Sequence, residues 1–405
     1  MKVLFLTISS MPHMSRHSIS LDLLHEVKRH GHEIYVVSSI EKKENRDTYL
    51  NDEDGYKVLR VKIGNNKKTG PIRKGITTIT MPSKYIKAIK KYFADVKFDL
   101  VMYPTPPITL AKTVEFIKKR DGARSYLVLK DIFPQNAVDI GMMKKSGLKG
   151  ILYRRFRKTE KKLYALSDRI GCMSKANVEY VLKHNPEIPR ENVEVCPNSI
   201  EVKDMRISAE KREEIRNKYG IPLDKTVYIY GGNLGKPQGI PHLIKCLETQ
   251  KNNKDAYFLV VGDGTEFSRL EAFFSETAPA NMKLMKRLPK EDYDLMVAAC
   301  DVGLIFLDHR FTIPNFPSRL LAYMQSGVPV LASTDTNTDI GKVIVEGGFG
   351  WWCESNDASA FADVVASVDK SSFPEMSEKA FAYLNEHYTV ESAYETIFSN
   401  IQENQ

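Results

Sequence analysis

The sequence predicts an α/β protein of two doubly wound, Rossmann-like domains in tandem, with a cleft between them. Three observations carry that expectation. Apolar runs of strand length alternate with helical periodicities up to about residue 200, a polar stretch over 197–225 interrupts the rhythm, and the same rhythm then restarts. A repeated strand–helix unit closes as a parallel sheet wrapped by helices, and open sheets of this kind take ligands at the carboxyl ends of their strands.

In the first half, strands are expected at Val3–Ser9, Glu33–Ser38, Tyr56–Ile63, Asp99–Tyr103, Ser125–Lys130, Asp168–Met173 and Val193–Cys196. Helices are expected at Ile19–Arg29, Ser83–Phe93, Ile108–Lys119, Leu148–Leu166 and Lys175–Lys183. The first of these places Leu21, Leu24 and Val27 on one face, and Gly31 stops it. The linker falls near Pro197–Met205, followed by a helix rich in Lys and Glu. The second half predicts strands at Thr226–Tyr230, Ala256–Val261, Met282–Leu284 and Val302–Phe306. Its helices fall at Ile240–Thr249, Glu266–Ser275 and Glu291–Ala299. The stretch Glu375–Gln402 reads as helix with a weak point at His387–Val390. The expected organisation is a first domain over 1–200, a second over 201–380, and a last helix over 381–405 that crosses back to the first.

Composition narrows the function classes. With 405 residues, 42% hydrophobic and 27% charged, the chain is long enough for two real cores. No apolar run has the length of a membrane span, and Met1–Ser10 leads into Pro12 and charged residues, as a first strand would and a secretion signal would not. Cys172, Cys196, Cys246, Cys300 and Cys353 are scattered and form no CxxC, which argues against a disulfide framework or zinc site and fits a reducing cytoplasm. Residues 1–200 hold 38 Lys+Arg against 21 Asp+Glu, a net of +17, and the remainder carries −9, which gives the chain its +8. A basic half joined to an acidic half points to different partners for each.

The most informative stretch is I-P-N-F-P-S-R-L-L-A-Y-M-Q-S-G-V-P-V-L-A-S over 313–333. A loop with Pro314 and Pro317 runs to Ser318, which reads as an N-cap. A short helix Arg319–Gln325 follows, Gly327 ends it with a left-handed turn, and V-P-V-L-A reads as a buried strand. Free N–H groups at the helix start, with the fixed charge of Arg319, make an anion site. Two more turns lie at expected strand ends. Tyr230-Gly231-Gly232-Asn233-Leu234-Gly235 with Gln238-Gly239 lets backbone approach a ligand and offers Asn233 and Gln238 as donors; Val261-Gly262-Asp263-Gly264 is a second tight turn.

The order G-G-N-L-G-x-x-Q-G, V-V-G-D-G, R-L-P-K-E-D-Y and F-P-S-R-L-L-A-Y-M-Q-S-G-V-P-V resembles glycosyltransferases of the GT-B fold. It is most similar to retaining family 4 enzymes of the bacterial surface-polysaccharide type, such as N-acetylfucosamine-type transferases. L-K-D-I-F-P-Q-N-A, S-D-R-I-G-C-M-S-K-A-N and E-V-C-P-N-S-I extend the resemblance over nearly the whole chain. It implies a nucleotide-sugar donor, with UDP as the expected nucleotide, and a lipid-linked or saccharide acceptor. Gly232, Asn233, Gln238, Pro317, Ser318 and Arg319 then border the donor diphosphate, Gly262 and Gly264 the base pocket, and Lys286, Arg287 and Leu288 the base edge. The family's Glu-x7-Glu pair is replaced by Pro314 and Ala322, so the usual ribose-binding carboxylate is missing. No cofactor or metal is expected, because no Asp-x-Asp pair is placed to hold a metal ion and Arg319 takes over the charge.

On the acceptor side, Asp131 is the candidate catalytic carboxylate, beside Lys130 at the end of a strand in K-D-I-F-P; the alternative is a strand-end or capping Asp. His13 is a second candidate, and Arg16 could meet phosphate or acceptor in the S-S-M-P-H-M-S-R-H loop, which lacks the familiar Gly-Gly. The helix G-L-K-G-I-L-Y-R-R-F-R-K-T-E-K-K-L-Y sets Ile151, Leu152, Phe156, Leu163 and Tyr164 against six basic residues. It is either a solvated domain helix or a dock for an anionic membrane surface, to which Lys84, Lys87, Lys90 and Lys91 would add. A nucleic-acid partner is not expected, since no stacking motif accompanies the charge. Two rival readings stay open: a non-catalytic scaffold subunit, and a nucleotide-sugar epimerase. The location expected is the cytoplasmic face of the cell membrane.

Overall fold

The computed structural model describes residues 1–65 and 71–402. Its contacts divide into two units: residues 1–201 together with the segment from Val390 onward, and Val202–Thr389. In the first unit the order is β1 (Lys2–Leu6), α1 (Ile19–Arg29), β2 (Glu33–Glu41), β3 (Tyr49–Glu53), β4 (Tyr56–Ile63), α2 (Pro71–Tyr92), β5 (Leu100–Pro104) and α3 (Ala111–Asp121). Then follow β6 (Arg124–Leu129), α4 (Gln135–Asp139), α5 (Gly147–Leu166), β7 (Arg169–Cys172), α6 (Lys175–His184) and β8 (Val193–Val195). The sheet runs β3-β4-β2-β1-β5-β6-β7-β8, parallel except for β3 against β4. Its chain order reverses at the β1/β5 boundary, the place where a doubly wound sheet opens a crevice.

The central strands are near-continuous apolar runs because helices cover both faces. Val3, Leu4 and Leu6 of β1 and Leu100, Val101 and Met102 of β5 are completely buried. Helix α1 begins where Ser18 Oγ accepts from Leu21 N at 3.3 Å, and it buries Leu21, Leu24 and Val27 as its spacing predicts. Two departures from the sequence expectation have clear causes. Helix α2 starts twelve residues before Ser83 and runs through Pro82, which is buried between Met81 and Tyr85; packing overrides the reading of proline as a helix boundary. Strand β3 was not expected from its polar composition, yet Asp54-Gly55, both at positive φ, form a two-residue hairpin turn that pairs Glu53 with Tyr56.

In the second unit come α7 (Ala209–Tyr219), β9 (Thr226–Asn233), α8 (Ile240–Gln250), β10 (Ala256–Asp263), α9 (Phe267–Thr277), β11 (Met282–Lys286), α10 (Lys290–Ala298) and β12 (Val302–Phe306). They are followed by α11 (Arg319–Gln325), β13 (Val330–Thr334), α12 (Ile340–Glu346), β14 (Gly350–Glu354), α13 (Ala358–Ser367) and α14 (Phe373–His387). The sheet, parallel throughout, runs β11-β10-β9-β12-β13-β14 and reverses at β9/β12. Its core is aromatic: Tyr228 stacks on Phe258 at 4.8 Å, and Phe306 and Phe361 meet at 5.6 Å.

The expected C-terminal helical stretch is two helices, α14 and α15 (Val390–Gln402), broken at Tyr388–Thr389, within the weak point that the sequence predicts at His387–Val390. Helix α15 packs on α1 in the first unit, where His30 stacks on Tyr394 at 3.8 Å and His32 on Phe398 at 4.6 Å. Among the described residues no helix is long and apolar enough to cross a membrane, and no cluster of His, Cys, Asp or Glu could hold a metal ion.

Candidate functional site

In the second unit, parallel pairing sets the three expected loops in one row. Gly262 is registered with Gly232 on one side and with Lys286 on the other, so the carboxyl ends of β9, β10 and β11 lie side by side. Across the switch point, the loop after β12 packs on the loop after β9: Asp308 N donates to Pro237 O at 3.0 Å. The loops carrying Asn233 and Gln238 and leading to Pro317 and Ser318 therefore flank the crevice that the topology opens.

The consecutive glycines have separate jobs. A Cβ on Gly231 would lie 1.6 Å from Tyr293 Oη, so Tyr293 packs directly on the strand. Gly232 has φ +113°, a conformation that favours glycine, and a Cβ there would sit 3.7 Å from Arg319 Nη2. Gly262 and Gly264 face the same loop: their Cβ atoms would meet Gly232 O at 2.1 Å and Leu234 O at 2.3 Å. Close backbone packing of the β9 loop on the β10 loop thus accounts for both. Asn233 Nδ2 donates to Gln238 Oε1 at 2.9 Å, and that oxygen also accepts from Gly235 N at 3.2 Å. Asn233 keeps its carbonyl and Gln238 its amide free of this pairing. Lys286 and Arg287 are exposed, with Leu288 half-buried beside them.

Arg319 is the central charge. Tyr323, one turn later on the same face of α11, packs its ring on Gly303, where a Cβ would come within 2.5 Å of Cγ. Its hydroxyl donates towards Ile229 O at 3.2 Å and Leu304 O at 3.1 Å, which pins the helix to β9 and β12. Arg319 is thereby held with its guanidinium 4.4 Å from the centre of the Tyr230 ring. Its Nη1 is buried without a hydrogen-bond partner, and among the described residues no carboxylate forms an ion pair with it. A half-buried guanidinium with one buried, unpaired nitrogen and no counter-ion is stabilised when an anion arrives to pair with it.

Ser318 does not cap this helix. It is itself helical, at φ −65° and ψ −12°, and makes no side-chain cap bond; Leu320 N already reaches Pro317 O at 3.2 Å. The turn begins one residue earlier than the N-cap reading assumed, which leaves Ser318 exposed. Since α11 has only seven residues, its dipole is small, and Arg319 carries the fixed positive charge at this end of the helix. Gly327 ends the helix at φ +61° and β13 is buried throughout, both as expected. The loop before α11 is braced by Asp335, which the sequence reading missed. Asp335 accepts from Asn337 N and Thr338 N, each at 2.9 Å, and from Thr338 Oγ1 at 3.0 Å, while Thr338 Oγ1 accepts from Asn315 N at 3.0 Å. Burial pushes the Asp335 carboxyl up to about 6. The turn-rich run T-D-T-N-T-D after a buried strand was the available signal.

In the first unit, Asp131 follows β6 at the carboxyl edge of the sheet. Burial raises its carboxyl to about 6, against a hydrogen bond from Asn136 Nδ2 at 2.6 Å. Lys130 does not pair with it, contrary to the reading that set them side by side. The chain turns just past β6, where Lys130 N donates to Val128 O at 3.0 Å, and Lys130 lines a small cavity with Ser20, Cys196 and Asn198. Burial lowers its ammonium to about 8. His13 and Arg16 are exposed on the loop after β1; His13 Nδ1 lies 2.9 Å from Ser15 Oγ, and no bond joins either residue to Asp131 or Lys130 among the described residues.

Two other expectations change. The apolar side of α5 splits: Leu163 and Tyr164 are buried, whereas Ile151 and Leu152 are 58% and 45% exposed. Of the six basic residues, Arg157 pairs with Glu160 at 2.7 Å, Lys161 with Glu187 at 2.9 Å and Lys162 with Glu115 at 2.6 Å. Arg154, Arg155 and Lys158 remain exposed.

Residues 19–204 match the family described as Glycosyltransferase Family 4, and residues 211–383 match Glycosyl transferases group 1. The chain is 29% identical over 279 residues to a Pseudomonas aeruginosa protein named "Probable glycosyltransferase WbjE", covering 68% of each. It is 22% identical over 251 residues to WcaI of Escherichia coli, named for colanic acid biosynthesis, covering 61% of this chain and 60% of that one. The structure of Anabaena Alr3699/HepE in complex with UDP and glucose has the same fold, with a TM-score of 0.72 at 14% identity over 100% of both chains.

Proposed function

We propose, from the premise that the chain belongs to the GT-B glycosyltransferases of the group 1 and family 4 type, that it moves a sugar from a nucleotide diphosphate to a lipid-linked or saccharide acceptor of a bacterial surface polysaccharide. UDP is the nucleotide and the anomeric configuration is retained. The observation that carries this reading is the half-buried guanidinium of Arg319, whose Nη1 is buried without a hydrogen-bond partner, beside Gly232 at the β9/β12 switch point. The HepE complex, which has the same fold and holds UDP and glucose, supports it.

In this mechanism the bond from the anomeric carbon to the diphosphate oxygen breaks, and a bond from an acceptor hydroxyl to that carbon forms. Negative charge builds on the departing diphosphate. Arg319 meets it, with the amide of Gln238 and the hydroxyl of Ser318 as further donors. The proton of the acceptor hydroxyl passes to Asp131 or to the departing phosphate. A carboxyl poised at about 6 is suited to the first route, being ionised near neutrality and still basic enough to take a proton. The guanidinium supplies the charge that a metal ion would otherwise give, so the reaction needs no metal.

The test is thermal stabilisation by UDP, GDP, ADP, dTDP and CMP, each with and without EDTA. A shift with UDP that EDTA leaves unchanged is expected. A shift that requires a divalent cation would overturn the metal-free mechanism, and no shift with any nucleotide would favour the scaffold reading that the missing Glu pair permits.

The first unit works, on this proposal, against the cytoplasmic face of an anionic membrane. Met142, Ile151 and Leu152 are exposed by 62%, 58% and 45%. Exposed Lys144, Lys145, Arg154, Arg155 and Lys158 surround them in sequence, and residues 140–159 contain no Asp or Glu. Each cation near such a surface contributes roughly 1 kcal/mol. The protein is expected to sediment with phosphatidylglycerol vesicles and not with phosphatidylcholine vesicles, and Ile151→Glu should weaken this several-fold. Equal binding to both vesicle types would remove the electrostatic part of the proposal.

A further inference from the structure

A second opening lies on the first unit, at the carboxyl ends of β1 and β2. It measures about 290 Å³ and is lined by Ile8, Ser9, Ser10, Ser39, Glu41, Lys43 and Glu44. Because β1, β2 and β6 are parallel members of one sheet, it shares an edge with Asp131. Its floor is rigid: Ser39 Oγ donates to Ile8 O, and the buried Tyr85 hydroxyl donates to Thr7 O at 2.7 Å.

The rim is chemically distinctive. Ser9 and Ser10 are exposed, and among the described residues their hydroxyls bond to nothing in the protein. Glu41 is 4% exposed and pairs with Lys43 Nζ at 2.8 Å; Glu41 N donates to Glu44 Oε1 at 3.0 Å. Hydroxyls, carboxylate oxygens and one ammonium offer more acceptors than donors, which suits a ligand rich in O–H and N–H donors, as sugar hydroxyls and amines are. Among the described lining residues two carboxylates stand against one lysine, a net of −1, in a unit that is otherwise strongly basic. An anionic group would meet like charge here, whereas a neutral polyol or an amine would not.

We infer that this pocket is the subsite for the sugar of the acceptor, and that it selects a neutral or amino sugar over one bearing a carboxylate or phosphate. The inference rests on the transferase reading above and adds the class of acceptor to it. The volume is at the lower end of small-molecule sites and suits a single sugar ring. Binding of an isolated monosaccharide through so few contacts should be weak, with a Kd on the order of 1 mM.

The experiment is saturation-transfer NMR on the full chain with methyl glucoside, methyl N-acetylglucosaminide, methyl galactosaminide, methyl glucuronide and glucose 6-phosphate, alongside UDP binding by calorimetry. Transfer to the neutral and amino glycosides, at least about 10-fold weaker for the two anionic ones, is expected. Ser10→Phe fills the opening from an exposed position and should abolish transfer without altering UDP binding. Glu44→Lys turns the rim to net +1 and should shift preference towards methyl glucuronide. UDP binding with no glycoside signal, or a signal that Ser10→Phe leaves intact, would overturn the inference while sparing the donor site. Absence of UDP binding alongside a Ser10-dependent glycoside signal would overturn the transferase reading and keep the pocket as a sugar site.

Discussion

Arg319→Ala is expected to abolish stabilisation by UDP and to lower transfer by about 10²–10³-fold, the usual loss when one donor to a developing anion is removed. The unliganded protein should not suffer with it. Arg319 makes no ion pair among the described residues and its Nη1 has no hydrogen-bond partner. Its removal deletes a half-buried charge at the expense of its stacking on, and hydrogen bond with, Tyr230. The melting temperature without nucleotide should therefore stay level or rise while the nucleotide-dependent increment disappears. A variant that kept its response to UDP would show that the diphosphate is held elsewhere.

Asp131→Asn should move stability and activity in opposite directions. Burial raises the folded-state carboxyl to about 6 from the ordinary carboxylate value of 3.8. The folded protein therefore holds a proton that the unfolded chain has already released between about pH 4 and 6, and stability falls as pH rises through that window. Above it the folded state carries a buried carboxylate at a cost of about 3 kcal/mol. Asparagine has no such charge, so at pH 7.5 the variant should be the more stable protein, and at pH 4 the difference should vanish. Transfer should drop by about 10²–10⁴-fold if Asp131 is the base. The wild-type rate should rise through an apparent pKa near 6, and that limb should be missing from the residual activity of the variant. A variant that is more stable yet fully active would reduce Asp131 to a strand-end residue whose charge is merely tolerated.

The parts legible in the sequence were those governed by short-range periodicity. Helices α1 and α11 and strands β4 and β12 lie where the apolar spacing put them, because each buries one continuous stripe or run. Family resemblance and fold agreed with the α/β rhythm. What was hidden depended on tertiary contact. Pro82 sits inside α2 because Met81 and Tyr85 bury around it, a fact no local rule contains. Asp335 lies in a polar, turn-rich run, and only the fold places Thr338 against it and Asn315 against Thr338. The packing of Tyr293 on Gly231 and of Tyr323 on Gly303 joins residues 62 and 20 positions apart, beyond the reach of any helical or strand period. Arg319 was selected from its motif, but its lack of a counter-ion could be known only once its neighbours were in place.

The chain leaves the first unit after Glu201 and re-enters it at Val390, where Val390 N donates to Ile200 O at 3.2 Å. Exit and return are thus adjacent, and the second unit is an insertion spliced into the first at a single hydrogen-bonded junction. During synthesis the first unit is finished only when the last residues emerge, so its α1 surface stays bare while everything between is made. The same junction is a natural cut-and-paste point for protein engineering. Residues 202–389 can be exchanged for another module by rejoining two ends that already touch; on the function proposed above, that would turn donor choice into a cassette independent of the acceptor side.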